Sequence, residues 1–351
     1  MSWEENVRRV EPYVPGEQPK TTGTVIKLNA NEFPYPPTPR VREAMEAMEA
    51  DSLRMYPNCT AEPLVEALAA YYGFEKDEVF VGVGSDDVLA NSFLAFFHSK
   101  KPVLFPDVTY SFYDVWSEIY GIPYEQPPLD ANFRIVKEDY YKENGGIVIA
   151  NPNAPTGISE PVEFIEEIVK HNPGSVVIID EAYVDFGGES AMPLTRKYDN
   201  VLVVQTFSKS RAFAGMRIGF AVGNKKLIRY LNDVKFSINS YTMNRTAIYY
   251  GIKAVEDEAY FRETLAKVIA TRERCKAELT ELGFVCTDSR TNFIFASHKS
   301  IPAKELFAYL KTKLIYVRHF ERPRIDNYLR ITIGTDAQMD QLLKELRLFI
   351  S

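Results

Sequence analysis

The stretch SVVIIDEAY, from Ser175 to Tyr183, is a nearly continuous run of Val and Ile that ends in acidic residues. Such a run is typical of a strand covered on both faces of a parallel sheet, and it would bring Asp180 to the carboxyl edge of that sheet. A carboxylate buried there needs a cationic partner. The stretch therefore predicts an α/β fold that delivers one acid to the edge where such sheets bind their ligands.

The next apolar run, NVLVVQTFSKS at 200–210, ends in Lys209 between two serines, and Arg217 follows in AGMRIGF. A lysine amine can form a Schiff base with an aldehyde cofactor, the pyridine nitrogen of that cofactor needs an Asp, and its phosphate needs Arg and hydroxyl donors. Asp180 or Lys209 taken alone is more often a strand-end residue in a solvated loop. The ordered set of Asp180, Lys209 and Arg217 indicates a pyridoxal phosphate site.

The rest of the chain shows a change of pattern along its length. Short apolar strands alternate with helical segments as far as Gly223, and this βαβ rhythm predicts a mostly parallel sheet with helices on both faces. After Gly251 a long charged helix and four more apolar runs predict a smaller α+β lobe, and the proline-rich start predicts an extended arm. We expect an arm at 1–35 that joins the small domain, a large domain at 36–240 and a small domain at 241–351.

The composition is that of a large globular enzyme. The 351 residues are 46% hydrophobic and 25% charged, which allows a sizeable core and more than one lobe. The net charge of −7 disfavours nucleic acid and anionic membranes as partners. No apolar run approaches the roughly 20 residues of a membrane span, and the N-terminus lacks the apolar core of a signal peptide, so we expect a cytoplasmic protein.

Cysteine and histidine usage disfavours cross-links and metal sites. The three cysteines, Cys59, Cys275 and Cys286, contain no CxxC pair, and the four histidines lack HxxxH spacing. We therefore expect free thiols, no disulfide framework and no bound metal.

The segment GVGSDDVLANSF at 82–93 predicts a strand-to-helix turn. Backbone N–H groups at its helix start, around Ser85 and Asp86, can hold a phosphate, and the alternative is a plain helix cap by either residue. The turn lacks the third glycine of a dinucleotide fingerprint and the GK[ST] of a P-loop. Tyr110 in PDVTYSFY follows another strand, where its ring can lie on a cofactor ring or can be an ordinary core aromatic.

Nine motifs in order span the chain from about Pro12 to its C-terminus: KLNANEFP, MYPN, GVGSDD, TYSFY, NPNAPTG, DEAYVDF, TFSKS, AGMRIGF and YLRITIGT. The series resembles the fold-type I, class II aminotransferases, and its first and last motifs resemble the histidinol-phosphate branch of that family. The resemblance implies a mostly parallel seven-stranded sheet in a large domain, a smaller α+β domain, pyridoxal 5′-phosphate as cofactor and a homodimer. It also implies ping-pong transfer of an amino group from L-histidinol phosphate to 2-oxoglutarate.

The same resemblance implies roles for the matching residues. Lys209 would carry the Schiff base, Asp180 would keep the pyridine nitrogen protonated, and Tyr183 would bond the phenolic oxygen. Further residues would hold the cofactor, with Tyr110 against its ring and the others around its phosphate: Ser85, Asp86, Thr206, Ser208, Arg217 and, from the neighbouring subunit, Tyr56. Arg330 would bind the substrate anion, and the same pocket would contain Arg318, Tyr13 and Asn31.

One position departs from the family pattern. Where the family reads NNPTG this chain reads NAPTG, so Ala154 replaces the asparagine that bonds the phenolic oxygen of the cofactor. Asn153, one residue earlier, is the cofactor-binding candidate that would compensate. Loss of the donor would leave the bond to Tyr183 and would change the pKa of the Schiff base.

Four rival functions share parts of this pattern. Threonine-phosphate decarboxylases and aromatic aminotransferases use nearly the same cofactor residues and differ in the substrate pocket. A pyridoxal-phosphate-sensing transcription factor needs an added DNA-binding domain, whereas the catalytic fold already takes up the 351 residues of this acidic chain. A dinucleotide-dependent dehydrogenase needs GxGxxG and leaves Lys209 unexplained.

Overall fold

The computed structural model describes residues 2–13, 16–19 and 23–350. Its α-helices are α1 (Pro39–Glu46), α2 (Glu62–Tyr72), α3 (Gly84–Phe96), α4 (Phe112–Tyr120), α5 (Val162–His171), α6 (Lys225–Ile238), α7 (Arg245–Glu256), α8 (Glu258–Glu281), α9 (Ala303–Thr312) and α10 (Asp336–Ile350). Its strands are β1 (Ile26–Lys27), β2 (Val79–Gly82), β3 (Val103–Leu104), β4 (Tyr124–Glu125), β5 (Gly146–Ala150), β6 (Val177–Asp180), β7 (Val201–Thr206), β8 (Gly219–Gly223), β9 (Phe284–Cys286), β10 (Phe293–His298), β11 (Ile315–Tyr316), β12 (Arg318–His319) and β13 (Leu329–Thr332).

Seven strands form one sheet in the order β2-β8-β7-β6-β5-β3-β4. The five strands from β7 to β4 in this order are parallel, and β8 is antiparallel to both of its neighbours. The mostly parallel seven-stranded sheet is therefore confirmed. Every residue of β5, β6 and β7 is buried, which agrees with the unbroken apolar runs in the sequence.

Helices cover both faces of this sheet. Val177 and Ile179 of β6 belong to a core that includes α2, α5 and α7, whereas Ile178 belongs to a second core with α3, α4 and α6. Successive strand residues face opposite sides of a sheet, so one strand supplies both cores. With both faces covered, the strand ends are left to carry side chains into a site.

A four-stranded antiparallel sheet in the order β12-β13-β10-β9 forms a separate core with α8, α9 and α10. Strand β1 of the N-terminal segment pairs in parallel with β11, where Ile26 lies opposite Ile315. The domain bounds at 35/36 and 240/241 stay predictions. Helix α7, which follows the second bound, packs against α1 and α2 within the larger core.

Within the described ranges, no helix has both the length and the apolar character needed to cross a membrane. The same part of the chain contains no group of three His, Cys, Asp or Glu side chains arranged to hold a metal ion. Cys59, Cys275 and Cys286 are free thiols.

Candidate active site

A cavity lies at the carboxyl ends of the parallel strands, beside the start of α3. Its wall contains eight of the predicted catalytic and cofactor-binding residues: Ser85, Asp86, Tyr110, Asp180, Tyr183, Ser208, Lys209 and Arg217. The fold thus gathers residues from four separate stretches of sequence at one edge of the sheet, as expected for ligand sites in α/β proteins.

Asp180 is the last residue of β6, and its side chain is buried. Its carboxylate accepts hydrogen bonds from the Tyr113 hydroxyl at 2.7 Å and from the Ala182 backbone N–H at 3.2 Å. Burial raises the pKa of Asp180 to about 6, although both hydrogen bonds lower it. Among the described residues no Lys or Arg forms an ion pair with Asp180, so a protonated ring nitrogen in the cavity would supply the cationic partner that this carboxylate needs.

Tyr113 is a site residue that the sequence reasoning missed. Its side chain is fully buried and its hydroxyl donates to Asp180. It follows Tyr110 by three positions, and the two rings meet edge to face with their centroids 5.7 Å apart. Residues three apart at a helix start lie on the same side, so the TYSFY spacing is the signal that could have found it.

Lys209 lies in the loop after β7. Its Nζ lies over the ring of Tyr183, 5.6 Å from the centroid. The loop is fixed on both sides of the lysine, because Thr206 donates to Ser208 at 3.0 Å and Ser210 donates to the carboxylate of Asp185. No carboxylate pairs with Lys209 in the part of the chain that the structure describes, so the amine is open to the cavity.

Arg217 lies between the start of α3 and the Lys209 loop. Its guanidinium donates to Asp86 at 3.2 Å and to the Ser208 hydroxyl at 3.3 Å. A side chain on Gly84 would overlap this guanidinium, and one on Gly219 would overlap the backbone at the start of α3. Because these two positions are glycines, the start of α3, β8 and the Arg217 guanidinium can lie close together. Backbone N–H groups, hydroxyls and a guanidinium together form the donor set that a phosphate needs.

Tyr110 supplies an aromatic part of the wall. Its hydroxyl donates to Asp86 at 2.8 Å, and its ring packs against Phe112 with centroids 5.5 Å apart. Burial and the Asp86 carboxylate raise the pKa of Tyr110 well above its ordinary value, so this hydroxyl stays neutral and can only donate to that acid.

Asn153 is turned away from the cavity, whereas Ala154 lies on its wall. The Asn153 amide oxygen accepts from Thr109 at 2.7 Å, and its Nδ2 donates to the Val108 carbonyl and to Thr156, both at 2.9 Å. Its polar atoms are therefore used to join neighbouring loops. The structure does not bring Asn153 to the wall.

The predicted substrate residues lie in the N-terminal segment and in the small sheet. Asn31 is buried behind Tyr183, and its Nδ2 donates to the Tyr183 hydroxyl at 2.7 Å. The Tyr13 ring stacks on Phe112, which itself contacts Tyr110, with centroids 4.3 Å apart. Asn31 therefore contacts the cavity wall through Tyr183, whereas Tyr13 is connected to Tyr110 of the wall through Phe112.

Arg318 and Arg330 are register partners on the adjacent strands β12 and β13. Both guanidiniums lie 5.6 Å from the ring centroid of Phe320, and neither pairs with a carboxylate among the described residues. Arg330 donates to the Asn29 carbonyl at 3.1 Å, while its Nε is shielded from solvent and has no hydrogen-bond partner in the part of the chain that the structure describes. Burial lowers the pKa of Arg330. Two adjacent arginines with unused donors suit a bound anion.

Tyr56 does not belong to this cavity. Its side chain is 79% exposed, and its ring lies against Tyr241 with centroids 4.6 Å apart. Within one chain it is a surface residue.

Comparison with known proteins finds a family model and relatives that align over nearly the whole chain. The family model for class I and II aminotransferases matches residues 23–346. The histidinol-phosphate aminotransferase of Lactococcus lactis subsp. cremoris (strain MG1363) is 49% identical over 350 residues, which is 100% of this chain and 98% of that protein. The histidinol-phosphate aminotransferase of Aromatoleum aromaticum is 52% identical over 349 residues, 98% of each chain.

The fold is also that of solved aminotransferase structures. The crystal structure of histidinol-phosphate aminotransferase from Sinorhizobium meliloti in complex with pyridoxal-5′-phosphate superposes with a TM-score of 0.85. The match has 23% sequence identity and covers 93% of this chain and 90% of that chain. At this level of identity the likeness concerns the fold alone.

Proposed function

This chain belongs to the class I and II aminotransferase family, and from that premise we propose that it is a histidinol-phosphate aminotransferase with pyridoxal 5′-phosphate as cofactor. It would convert L-histidinol phosphate and 2-oxoglutarate into imidazole acetol phosphate and L-glutamate, a step of histidine biosynthesis. The observation that carries the proposal is one cavity whose wall contains both the amine of Lys209 and the buried carboxylate of Asp180, neither of which forms an ion pair with another described residue. Identity of about half over the full length supports the choice of substrate.

We propose that the residues of the cavity divide between the ring and the phosphate of the cofactor. Asp180 would hold the ring nitrogen, Tyr183 the phenolic oxygen, and Tyr110 one ring face. The phosphate would be held by Arg217, by Ser85 and Asp86 at the start of α3, and by the hydroxyls of Thr206 and Ser208 beside Lys209. When bound, the cofactor supplies an aldehyde that condenses with amines and a ring that accepts electrons from the substrate Cα–H bond.

Lys209 would move the proton in this reaction. Its Nζ would take the Cα proton of a substrate held in the cavity and would give a proton back later in the reaction, as general base and then general acid. Asp180 would stabilise positive charge on the ring nitrogen, where the reaction needs it. Because two substrates use the same site in turn, ping-pong kinetics are expected.

Arg330 and Arg318 would select the substrate anion. Histidinol phosphate has a phosphate where glutamate has a carboxylate, and a guanidinium can bind either one in bidentate fashion. The free Nε of Arg330 is available for such a pair. Tyr13 would cover the same pocket from the N-terminal segment, and Asn31 would contact it through Tyr183.

We also propose a cytoplasmic homodimer in which Tyr56 reaches the cofactor phosphate of the neighbouring subunit. The exposure of this aromatic ring supports the proposal, because large exposed apolar side chains beside one another often mark an interface. Met55, Tyr241 and Tyr249 are further exposed side chains of this kind.

A side-by-side assay tests the substrate. Purified enzyme with cofactor is given 2-oxoglutarate and either histidinol phosphate, phenylalanine or threonine phosphate, and both glutamate and carbon dioxide are measured. The proposal requires that kcat/KM for histidinol phosphate exceeds the other two. Preference for phenylalanine would make the enzyme an aromatic aminotransferase, and carbon dioxide from threonine phosphate would make it a decarboxylase.

A further inference from the structure

The cavity wall has a methyl group at Ala154, so a donor for a phenolic oxygen must come from elsewhere. The Tyr183 hydroxyl is a candidate donor, because its ring lies on the wall and beneath the Nζ of Lys209. A tyrosine proton, however, can rotate toward any acceptor. The direction of this proton therefore depends on which group bonds the Tyr183 oxygen. That partner is Asn31, whose Nδ2 lies 2.7 Å from the Tyr183 oxygen.

The Asn31 amide lies between Thr332 and Tyr183, with its oxygen on the side of Thr332. The Thr332 hydroxyl oxygen accepts from the Asn31 backbone N–H at 3.0 Å, and the same hydroxyl donates to Asn31 Oδ1 at 3.1 Å. With Oδ1 facing that donor, Nδ2 must face Tyr183. An amide nitrogen only donates, so the Tyr183 oxygen accepts and its own proton is left for another acceptor.

Asn31 itself is rigidly held. It is buried, it has a left-handed backbone with φ 55°, and its carbonyl accepts from Asn292 Nδ2 at 3.0 Å. In the described part of the chain no acceptor pairs with the Tyr183 proton. The proton is therefore free to point into the cavity, where Tyr183 forms part of the wall.

We propose that Asn31 is a positioning residue that directs the Tyr183 hydroxyl proton into the cavity toward the phenolic oxygen of the cofactor. Asn31 of the N-terminal segment would thus orient a hydrogen-bond donor toward the phenolic oxygen, which Ala154 cannot provide. This inference rests on the proposed function, since it needs the cofactor to bind beside Tyr183.

The test is a pH titration of the visible absorption band of the cofactor-loaded enzyme. Asn31→Gly removes the amide, and glycine adopts φ 55° without strain. A donor to the phenolic oxygen favours its charged form, so its loss should raise the midpoint of the titration by about one pH unit, the effect of one net hydrogen bond. Asn31→Asp keeps the shape, accepts the Tyr183 proton instead, and should also raise the midpoint.

Two double variants separate positioning from a merely structural role. Ala154→Asn in the Asn31→Gly background adds a donor on the wall and should return the midpoint toward that of the parent. Asn31→Gly in a Tyr183→Phe background should cause no further shift, because the two residues act through one hydroxyl. Additive shifts, or no rescue by Ala154→Asn, would contradict the proposal.

The outcomes also distinguish this inference from the proposed function. A parent enzyme without any visible band in excess pyridoxal phosphate would remove the proposed function. A parent with a normal band whose midpoint is unchanged in both Asn31→Gly and Asn31→Asp would overturn the role of Asn31 alone.

Discussion

Lys209 is the residue that the proposed proton transfer depends on most directly. Lys209→Ala should lower kcat by at least about 10²–10⁴-fold, the usual contribution of a positioned general acid–base group, and should abolish the visible band of the bound cofactor. Absorption spectra and single-turnover assays measure both. Lys225→Ala is a matched control, because Lys225 pairs with Asp77 at the surface at 3.0 Å and such pairs contribute little. Retention of band and turnover in Lys209→Ala would remove the mechanism.

Asp180 makes stability depend on pH in the cofactor-free protein. Its folded-state pKa of about 6 lies above the ordinary value of about 3.9, so the folded state binds more protons between these two pH values. Stability from this residue is therefore fully present below pH of about 4 and is lost as pH rises toward about 6. The two-unit difference corresponds to roughly 3 kcal/mol.

Asp180→Asn removes the buried carboxylate, whose ionisation destabilises the folded protein at high pH. We expect the cofactor-free variant to be more stable than the parent by up to about 3 kcal/mol at pH 8, with the difference closing as pH falls through 6 toward 4. Urea unfolding at several pH values measures it. An equal difference at pH 4 and pH 8 would mean that the buried carboxylate is not the cause.

Arg330 should contribute to the binding of both substrates. Loss of a charge-assisted hydrogen bond costs about 1.5–3 kcal/mol, so Arg330→Ala should raise KM for both glutamate and histidinol phosphate roughly 10- to 100-fold. Steady-state kinetics with each substrate varied in turn test this. Arg290→Ala is the control, because Arg290 pairs with Asp288 near the surface at 3.3 Å. An effect on neither substrate would remove the role assigned to Arg330.

At the scale of elements, the contact between β8 and the start of α3 depends on one missing side chain. A methyl group on Gly219 would overlap the backbone of Gly84 and Ser85, which cannot move as a flexible side chain can. Gly219→Ala should therefore destabilise the protein by about 1–3 kcal/mol and weaken cofactor binding. Gly174→Ala, with nothing near its added methyl group, should be nearly neutral in the same unfolding and binding measurements. Equal effects of the two substitutions would contradict this packing argument.

The elements themselves were largely predictable because their signals are local. The Val and Ile runs predicted β5, β6 and β7, since a strand buried on both faces must be apolar throughout. The antiparallel direction of β8 was not predictable, because the run at 218–223 has the same composition whichever way it pairs. Direction is set by the chain that connects β7 to β8, not by the residues of the strand.

The site was predictable where a residue ends a strand, and less so where it depends on distant contacts. Asp180 and Lys209 follow apolar runs, and both lie on the cavity wall. Asn31 contacts Tyr183 across 152 positions of sequence, and no local pattern reports such a pair. Asn153 has the right residue type but is used between loops, which only the three-dimensional contacts reveal.

At the scale of the whole molecule, three parts of the chain are joined beside the cavity. Asn31 of the N-terminal segment bonds Tyr183, which follows a strand of the large sheet and lies on the cavity wall. Asn31 also bonds Thr332 of the small sheet, and Arg330 lies on the same strand as Thr332. Arg330 and Thr332 are two apart on β13, so their side chains share a face. A substrate anion bound by Arg330 would therefore lie beside the residues that hold Tyr183.

A second copy of the chain would complete the site through Tyr56, and subunit mixing tests this. Lys209→Ala and Tyr56→Ala homodimers should each be impaired. In a hybrid dimer, a crossing Tyr56 concentrates both lesions in one site and leaves the other site with a native Lys209 and a native Tyr56. Mixed and re-equilibrated subunits should therefore regain activity. Because one of the two symmetric sites in each hybrid dimer is native, the activity of a hybrid should reach up to about half that of a parent dimer. If Tyr56 served its own subunit, each site of the hybrid would keep one lesion and mixing would restore nothing. Light scattering before and after mixing provides the control that dimers are present.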